Sequence, residues 1–311
     1  MSVDFKKLRN FVKVVDAGSM SRASSLLRTA QPALSQQISV LETHFKQQLF
    51  IRSNHGVVPT AAGSELYRHA QVMLRQLEQA QHDVSRAADA LTGHVSIGLA
   101  TYSASSTLSL PLLKAINVSY PGLVVYINDN FGHVLSELIM NGRMDMAIIY
   151  GADPIKGVIL QPMFREELFL VSPDGAGEGF SETPLPVSAL EGVKLLLPSR
   201  AHFLRRVIDT AMARAKVTPK VFAEIESVAT LSAAVREGLG STILPWSAAR
   251  AIVGSSSCSI RRLTKPSLET TISLCVSDHL PLSEPATAIR AILLKTVGEL
   301  IAGGQQGIRA A

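Results

Sequence analysis

The chain is poor in cysteine and has no long apolar run. Only Cys258 and Cys275 occur among its 311 residues. Two are too few for a disulfide framework or a cysteine-rich metal site, and both are expected to be small buried hydrophobes. No stretch approaches the ~18 uninterrupted apolar residues of a membrane span. The opening MSVDFKKLRNFVKVVDAG carries charges throughout and has no apolar h-region, so no signal peptide and a cytoplasmic location are expected. Chemistry-bearing motifs are missing as well. There is no glycine-rich phosphate loop, HExxH, GxSxG or CxxC. Asp174-Gly175-Ala176-Gly177-Glu178-Gly179 is glycine-rich, but without a strand–loop–helix pattern around it reads as a surface turn. The eight histidines are scattered. No catalytic residue, metal site or cofactor is expected.

What is present begins with an uneven distribution of charge. Residues 1–60 hold eight basic side chains (Lys6, Lys7, Arg9, Lys13, Arg22, Arg28, Lys46 and Arg52) against three acidic ones, Asp4, Asp16 and Glu42. That difference, +5, is the net charge of the whole chain. A small basic module therefore precedes a neutral body, and a localised cationic footprint attracts a polyanion.

The module's pattern is helical. Phe5, Leu8, Phe11, Val12 and Val15 recur at helical spacing and Gly18 follows as a C-cap. Ser19 and Ser21 are candidate N-caps of a second helix ending at Leu27, with Met20, Ala23, Leu26 and Leu27 expected inside. A third helix with Pro32 in its first turn runs to about Phe45 and is expected to bury Leu34, Ile38, Leu41 and Phe45. Its other face offers Gln31, Ser35, Gln36, Ser39 and Glu42. Two short helices and a polar-faced third predict a helix-turn-helix with the third as reader. Gln bonds adenine in a bidentate manner, and Ser bonds most base edges or a phosphate. Phe50 to Pro59, with an Asn-His-Gly turn, predicts a β-wing that places Arg52 near phosphate. The candidate DNA contacts are Ser21, Thr29, Gln31, Pro32, Ser35, Gln36, Gln37, Ser39, Arg52 and Ser53.

From Thr60 to Leu91 there is no proline, and the only glycine is Gly63. Leu66, Ala70, Met73, Leu77, Ala80, Val84, Ala87 and Leu91 step by four and three, a heptad seam. Self-association is expected, with Leu66, Met73, Leu77 and Val84 as its larger seam residues. Beyond Thr92-Gly93, apolar runs alternate with helical stretches, and two hinge-like passages lie near Arg165 and Lys265. This predicts two α/β lobes. The domains expected are 1–60, 61–92 and 93–311, with lobe I at about 93–164 and 270–303 and lobe II at about 165–269. A ligand is expected at strand ends between the lobes. Thr101, Tyr102, Ser103, Ser105 and Ser106 supply hydroxyls at a helix start, where a carboxylate is favoured. Ser199, Ser227 and Val228 begin helices of the facing lobe. Phe131, Tyr150 and Phe203 are candidate apolar walls, and Arg200, Arg205 and His133 candidate charges.

Ala30-Gln31-Pro32-Ala33-Leu34-Ser35-Gln36-Gln37-Ile38-Ser39-Val40-Leu41-Glu42 is very similar to the recognition-helix motif of LysR-type transcriptional regulators. Phe50-Ile51-Arg52 and Pro59-Thr60-Ala61-Ala62-Gly63 resemble that family's wing and linker entry. Gln31 to Gln37 and Glu224-Ile225-Glu226-Ser227 extend the likeness to its nitrogen assimilation control branch. The resemblance implies a winged helix-turn-helix, a long antiparallel-pairing linker helix, and a two-lobed regulatory domain similar to periplasmic binding proteins. It also implies operator DNA, RNA polymerase and a second copy of the chain, as dimer or tetramer, as partners. It does not fix the ligand; the hydroxyl-rich helix start is what points to a small organic acid, aromatic acids included. An effector-independent regulator controlled by its abundance, and a ligand-binding protein with an accessory N-terminal domain, remain alternatives.

Overall fold

The computed structural model describes residues 3–53, 56–85, 91–173, 179–253 and 258–311. It divides into two compact units: Met1–Asp89 with Asn141–Arg143, and Ala90–Met140 with Met144–Ala311.

The first unit is helical with a hairpin. Helix α1 (Phe5–Ala17) starts where Asp4 accepts the Lys7 amide and ends at left-handed Gly18. Helix α2 (Met20–Leu27) is capped by Ser19 rather than Ser21. Helix α3 (Gln31–Phe45) has no side-chain cap, and Pro32 sits in its first turn, where a missing N–H is harmless. Strands β1 (Phe50–Ser53) and β2 (Gly56–Pro59) pair antiparallel, Ile51 opposite Val58. The predicted turn residues Asn54 and His55 lie outside the described residues. Helix α4 (Ala61–Ser85) follows. Leu8, Phe11, Val14, Leu34, Ile38, Leu41 and Phe50 form the core. Two expected core residues are outside it: Leu26 and Phe45 are exposed, because each faces away from the three-helix contact.

The α4 seam divides. Leu66 and Ala70 are buried in the helix-turn-helix core, so Leu66 is taken up by its own domain, contrary to expectation. Met73 is 36% exposed and Leu77 half-buried. The Val84 side chain and Ala87 lie outside what is described.

The second unit begins with β3 (Gly93–Ala100), α5 (Ala104–Ser119), β4 (Leu123–Asn130), α6 (Gly132–Met140) and β5 (Met146–Tyr150). Next comes β6, a 15-residue strand from Val158 to Ser172. Strands β7 (Gly179–Pro186), β8 (Lys194–Leu197) and β9 (Lys220–Glu224) follow, with α7 (Phe203–Arg214) between β8 and β9. The chain continues through α8 (Val228–Arg236), β10 (Thr242–Pro245), α9 (Trp246–Val253), β11 (Ser259–Thr264) and β12 (Glu269–Ser277). It closes with α10 (Glu284–Ala302) and a short β13 (Ile308–Ala310).

Lobe I is a mixed sheet in which β3 pairs parallel with β4 and β5, and β12 runs antiparallel to β5 and β6. The period of two in β5 shows how it is filled. Met146, Ile148 and Tyr150 join a core with Leu108 and Leu112 of α5 and Ile289 and Leu293 of α10. Ala147 and Ile149 face Leu135 and Ile139 of α6. In lobe II, the second half of β6 pairs with β10 and β11, and β11 with β7. Strands β8 and β9 pair in parallel, and β8 touches Ser241 beside β10.

The lobes therefore share β6. Its first half belongs to one lobe and its second to the other, and the return passage runs from Thr264 to Glu269. The sequence expectation placed hinge-like passages near Arg165 and Lys265. Strands β7, β11 and β13 and helix α9 were not anticipated. The predicted turn at 174–178 lies outside the described residues. Cys258 and Cys275 are both free and buried. Among the described residues, no helix is long and apolar enough to cross a membrane.

Candidate DNA interface and inter-lobe cavity

The outer face of α3 presents Gln31, Pro32, Gln36 and Ser39 to solvent. Ser21 of α2 reaches Gln31 Oε1 at 3.4 Å, so the two helices share one polar surface. Arg52 of the wing donates to Ser35 Oγ at 3.4 Å and lies 3.9 Å from Glu42. Glu42 also accepts the Leu49 amide at 2.9 Å, which makes it the residue that fastens the wing to α3. Ser53 is exposed on the wing, and Thr29 is half-buried and donates to Leu27 O. Gln37 differs from expectation. Its side chain turns inward and accepts from Asn10, which is buried on α1. It ties α3 to α1 instead of facing outward. Arg52 keeps exposed guanidinium while its partners are weak, so it is available to phosphate. An Arg52→Ala variant should weaken binding to all DNA sequences alike and lower the salt slope by about one. Titrations at several salt concentrations check this.

The turn after β3 is built otherwise than expected. Tyr102 adopts left-handed backbone (φ 70°) and is fully buried. Its hydroxyl lies 2.9 Å from Ile225 O and 3.0 Å from Glu226 O across the lobes. Ser103 donates to buried Glu166, and Thr101 contacts His202 Nε2 at 2.9 Å. These three hydroxyls are thus engaged by protein groups and do not line an open anion site. Side chains of Ser105 and Ser106 lie outside the described ones. Ser199 gives its amide to Glu226 at 2.8 Å, exposed Ser227 caps α8, and Val228 packs on the core. Arg205 is buried, bonded to Asp209, Glu224 and Pro198 O, and pins α7 to the sheet. Arg200 is exposed.

The three predicted aromatics do come together. A cavity of about 250 Å³ lies between the lobes, with Phe131, His133 and Tyr150 on one side and His202, Phe203 and Arg206 on the other. Tyr150 and Phe203 stack at 5.7 Å and 6°, and Phe131 stacks on His133 at 5.6 Å and 12°. Arg206 lies over the outer Phe203 face at 5.2 Å, and exposed Asp153 completes the rim. Gly151 (φ 90°) lets the backbone pass 3.0 Å from the Phe203 ring at the position of a Cβ.

His202 sits at the centre, 2% exposed. Its Nδ1 accepts the Leu204 amide at 3.1 Å, so Nε2 carries the proton and donates to Thr101. Burial holds its pKa down to about 4, against a small opposing effect of Glu226. The ring is therefore neutral near pH 7. Sequence reading missed it because Pro198-Ser199-Arg200-Ala201-His202-Phe203 signalled only a helix start. Glu166, buried behind Ser103, has its pKa pushed up to about 7 by burial, while the Ser103 and Thr107 hydroxyls pull the other way.

Residues 5–64 match the family described as "Bacterial regulatory helix-turn-helix protein, lysR family", and residues 88–298 match "LysR substrate binding domain". The chain belongs to the LysR family. It is 42% identical over 296 residues to the nitrogen assimilation regulatory protein nac of Escherichia coli (strain K12), covering 95% of each chain. To the protein of the same name from Klebsiella aerogenes it is 39% identical, again over 95% of each. A full-length OxyR variant from Pseudomonas aeruginosa shares the fold at TM-score 0.71 and 23% identity, over 96% of this chain and 95% of that one. CbnR in complex with its target DNA shares it at TM-score 0.66 and 21% identity, over 96% and 99%. This LysR-family protein is a DNA-binding transcriptional regulator, and its relatives are regulators rather than enzymes.

Proposed function

We propose that this regulator binds a two-fold operator as a homo-oligomer and responds to an aromatic organic acid held in the inter-lobe cavity. The observation that carries the ligand reading is the cavity itself: stacked rings from both lobes, with Arg206 at the rim. A flat ring suits the Phe131, Tyr150 and Phe203 walls, and a carboxylate suits the guanidinium. A ligand touching both lobes favours one lobe angle over another, and only that differential affinity shifts the arrangement of the reading heads. Exposed Met73 and half-buried Leu77 on α4 support pairing between copies. RNA polymerase is the partner through which DNA-bound heads act.

A thermal-shift screen of the full chain tests this, with benzoate, phenylacetate and indole-3-acetate against acetate and succinate. An aromatic acid at 100 times its dissociation constant adds about 2.7 kcal/mol, several degrees in the regulatory-domain transition. Phe203→Ala should remove that shift. Aliphatic acids matching the aromatic ones would sink the aromatic reading. A second reading rests on Tyr102, whose hydroxyl already bridges the lobes. It favours a regulator controlled by its abundance, and a flat screen would support it.

A further inference from the structure

We infer that the segment after α10, residues 303–310, is a brace that fixes the angle between the two lobes. Strand β13 pairs antiparallel with β6, Ile308 opposite Glu166 and Ala310 opposite Phe164. That is the point where β6 passes from one lobe to the other. There the crossing is three strands wide, β12, β6 and β13. The Glu167 amide donates to Gly307 O at 2.8 Å. The Glu167 carboxylate, 5% exposed, is held by two arginines, Arg262 from β11 in lobe II and Arg309 from β13. A buried carboxylate paired with two guanidiniums is costly to expose, so these groups hold one another in place.

The segment also lies flat on lobe II. Gly307 has φ 75°, and a Cβ there would sit 2.8 Å from Phe169 Cε2 and 3.1 Å from Trp246 Cβ. The two crossings are joined besides: Leu168 donates to Leu268 O at 2.9 Å. A segment arising from α10 of lobe I thus clasps β6, Phe169, Trp246 and Glu167 across the hinge. Bending at Glu166–Glu167 must carry β13 along or release it. The match to the LysR substrate binding domain ends at residue 298, so the brace follows the matched residues. It acts whether or not the cavity takes a ligand.

Spin labels report the angle directly. Cys258 and Cys275 are buried, so labels on Lys156→Cys in lobe I and Thr210→Cys in lobe II, both exposed positions, attach selectively. In the full chain, the inter-lobe distance distribution measured by electron–electron double resonance should be narrow. Removing residues 303–311 should broaden it and shift its mean. Arg309→Ala keeps the strand backbone and should broaden it less, with Arg309→Lys restoring part of the width. In Arg309→Ala, hydrogen exchange at the Glu167 amide should speed up roughly tenfold, a local opening that leaves α6 and α8 protected. If the truncated chain fails to fold, Arg309→Ala decides. An unchanged distribution in the folded truncated chain, or in Arg309→Ala where truncation prevents folding, overturns the brace.

Discussion

Phe11→Ala is expected to unfold the DNA-binding unit while the regulatory unit melts as before. Phe11 is 0% exposed, with its ring centroid 5.2 Å from that of Phe50, so it joins α1 to the wing as well as to α3. Emptying such a site costs about 3–5 kcal/mol, transfer and cavity terms together. That is a large part of the stability of a small domain, and its melting point should fall by roughly 15–30 °C. The two cores share no residue, so the later transition should stay in place. Operator binding is lost at temperatures where the regulatory unit is intact. Calorimetry of the full chain checks this, and two transitions moving down together would show that the units do not fold independently.

The second large effect concerns pH, where two buried groups oppose each other. The Glu166 carboxyl goes from 4.5 when freely solvated to about 7 in the fold. Its contribution is fully present below the unfolded value and is lost as pH rises to about 7. His202 goes from 6.5 down to about 4. Its contribution is present above 6.5 and is lost as pH falls to about 4. Each shift corresponds to about 3 kcal/mol. Between about pH 4.5 and 6.5 the two slopes cancel, and stability from this pair is flat. Glu166→Gln removes one side of the balance. Stability of the variant should then rise with pH by about 1.4 kcal/mol per unit across that window. It should also exceed the parent's stability above pH 7, where the parent must bury a charge. Urea unfolding at a series of pH values reads both. A variant whose profile stays parallel to the parent's would mean that Glu166 carries no strained charge.

How far the sequence led depended on how local each signal was. Gly18, Ser19 and Pro32 mark helix ends through their own local chemistry, so the helix-turn-helix could be read residue by residue, although the Asp4 cap of α1 was not. Gln37 could not. Its partner Asn10 is 27 residues earlier, and nothing within α3 distinguishes it from its outward-facing neighbour Gln36. Leu66 fits a heptad seam as well as it fits a domain core, and only the packing of α4 on α1 separates the two. In the regulatory unit, the all-apolar β5 was plain. The first half of β6 mixes Gln161, Pro162, Arg165 and Glu166 with its apolar residues and reads as loop, because one face meets solvent and the other spans a hinge. Strand β13 is three residues long and owes its conformation to β6. Among cleft residues, Phe131, Tyr150 and Phe203 were expected as apolar walls, and they line one cavity. Tyr102 and Ser103 were placed at the right turn, but their partners in lobe II and on β6 lie more than 60 residues away and left no trace in the local sequence.

In the proposed function, α3 and the wing read DNA bases for a symmetric assembly. Selection from a random duplex pool, run side by side with the full chain and its Gln36→Ala variant, tests it most directly. The parent should enrich a two-fold motif with half-sites about one helical turn or more apart. Gln36→Ala should lose preference at one position in each half-site, worth roughly 1–3 kcal/mol, and keep the rest. Enrichment of the same motif by both proteins, or of no motif by the parent, would contradict it.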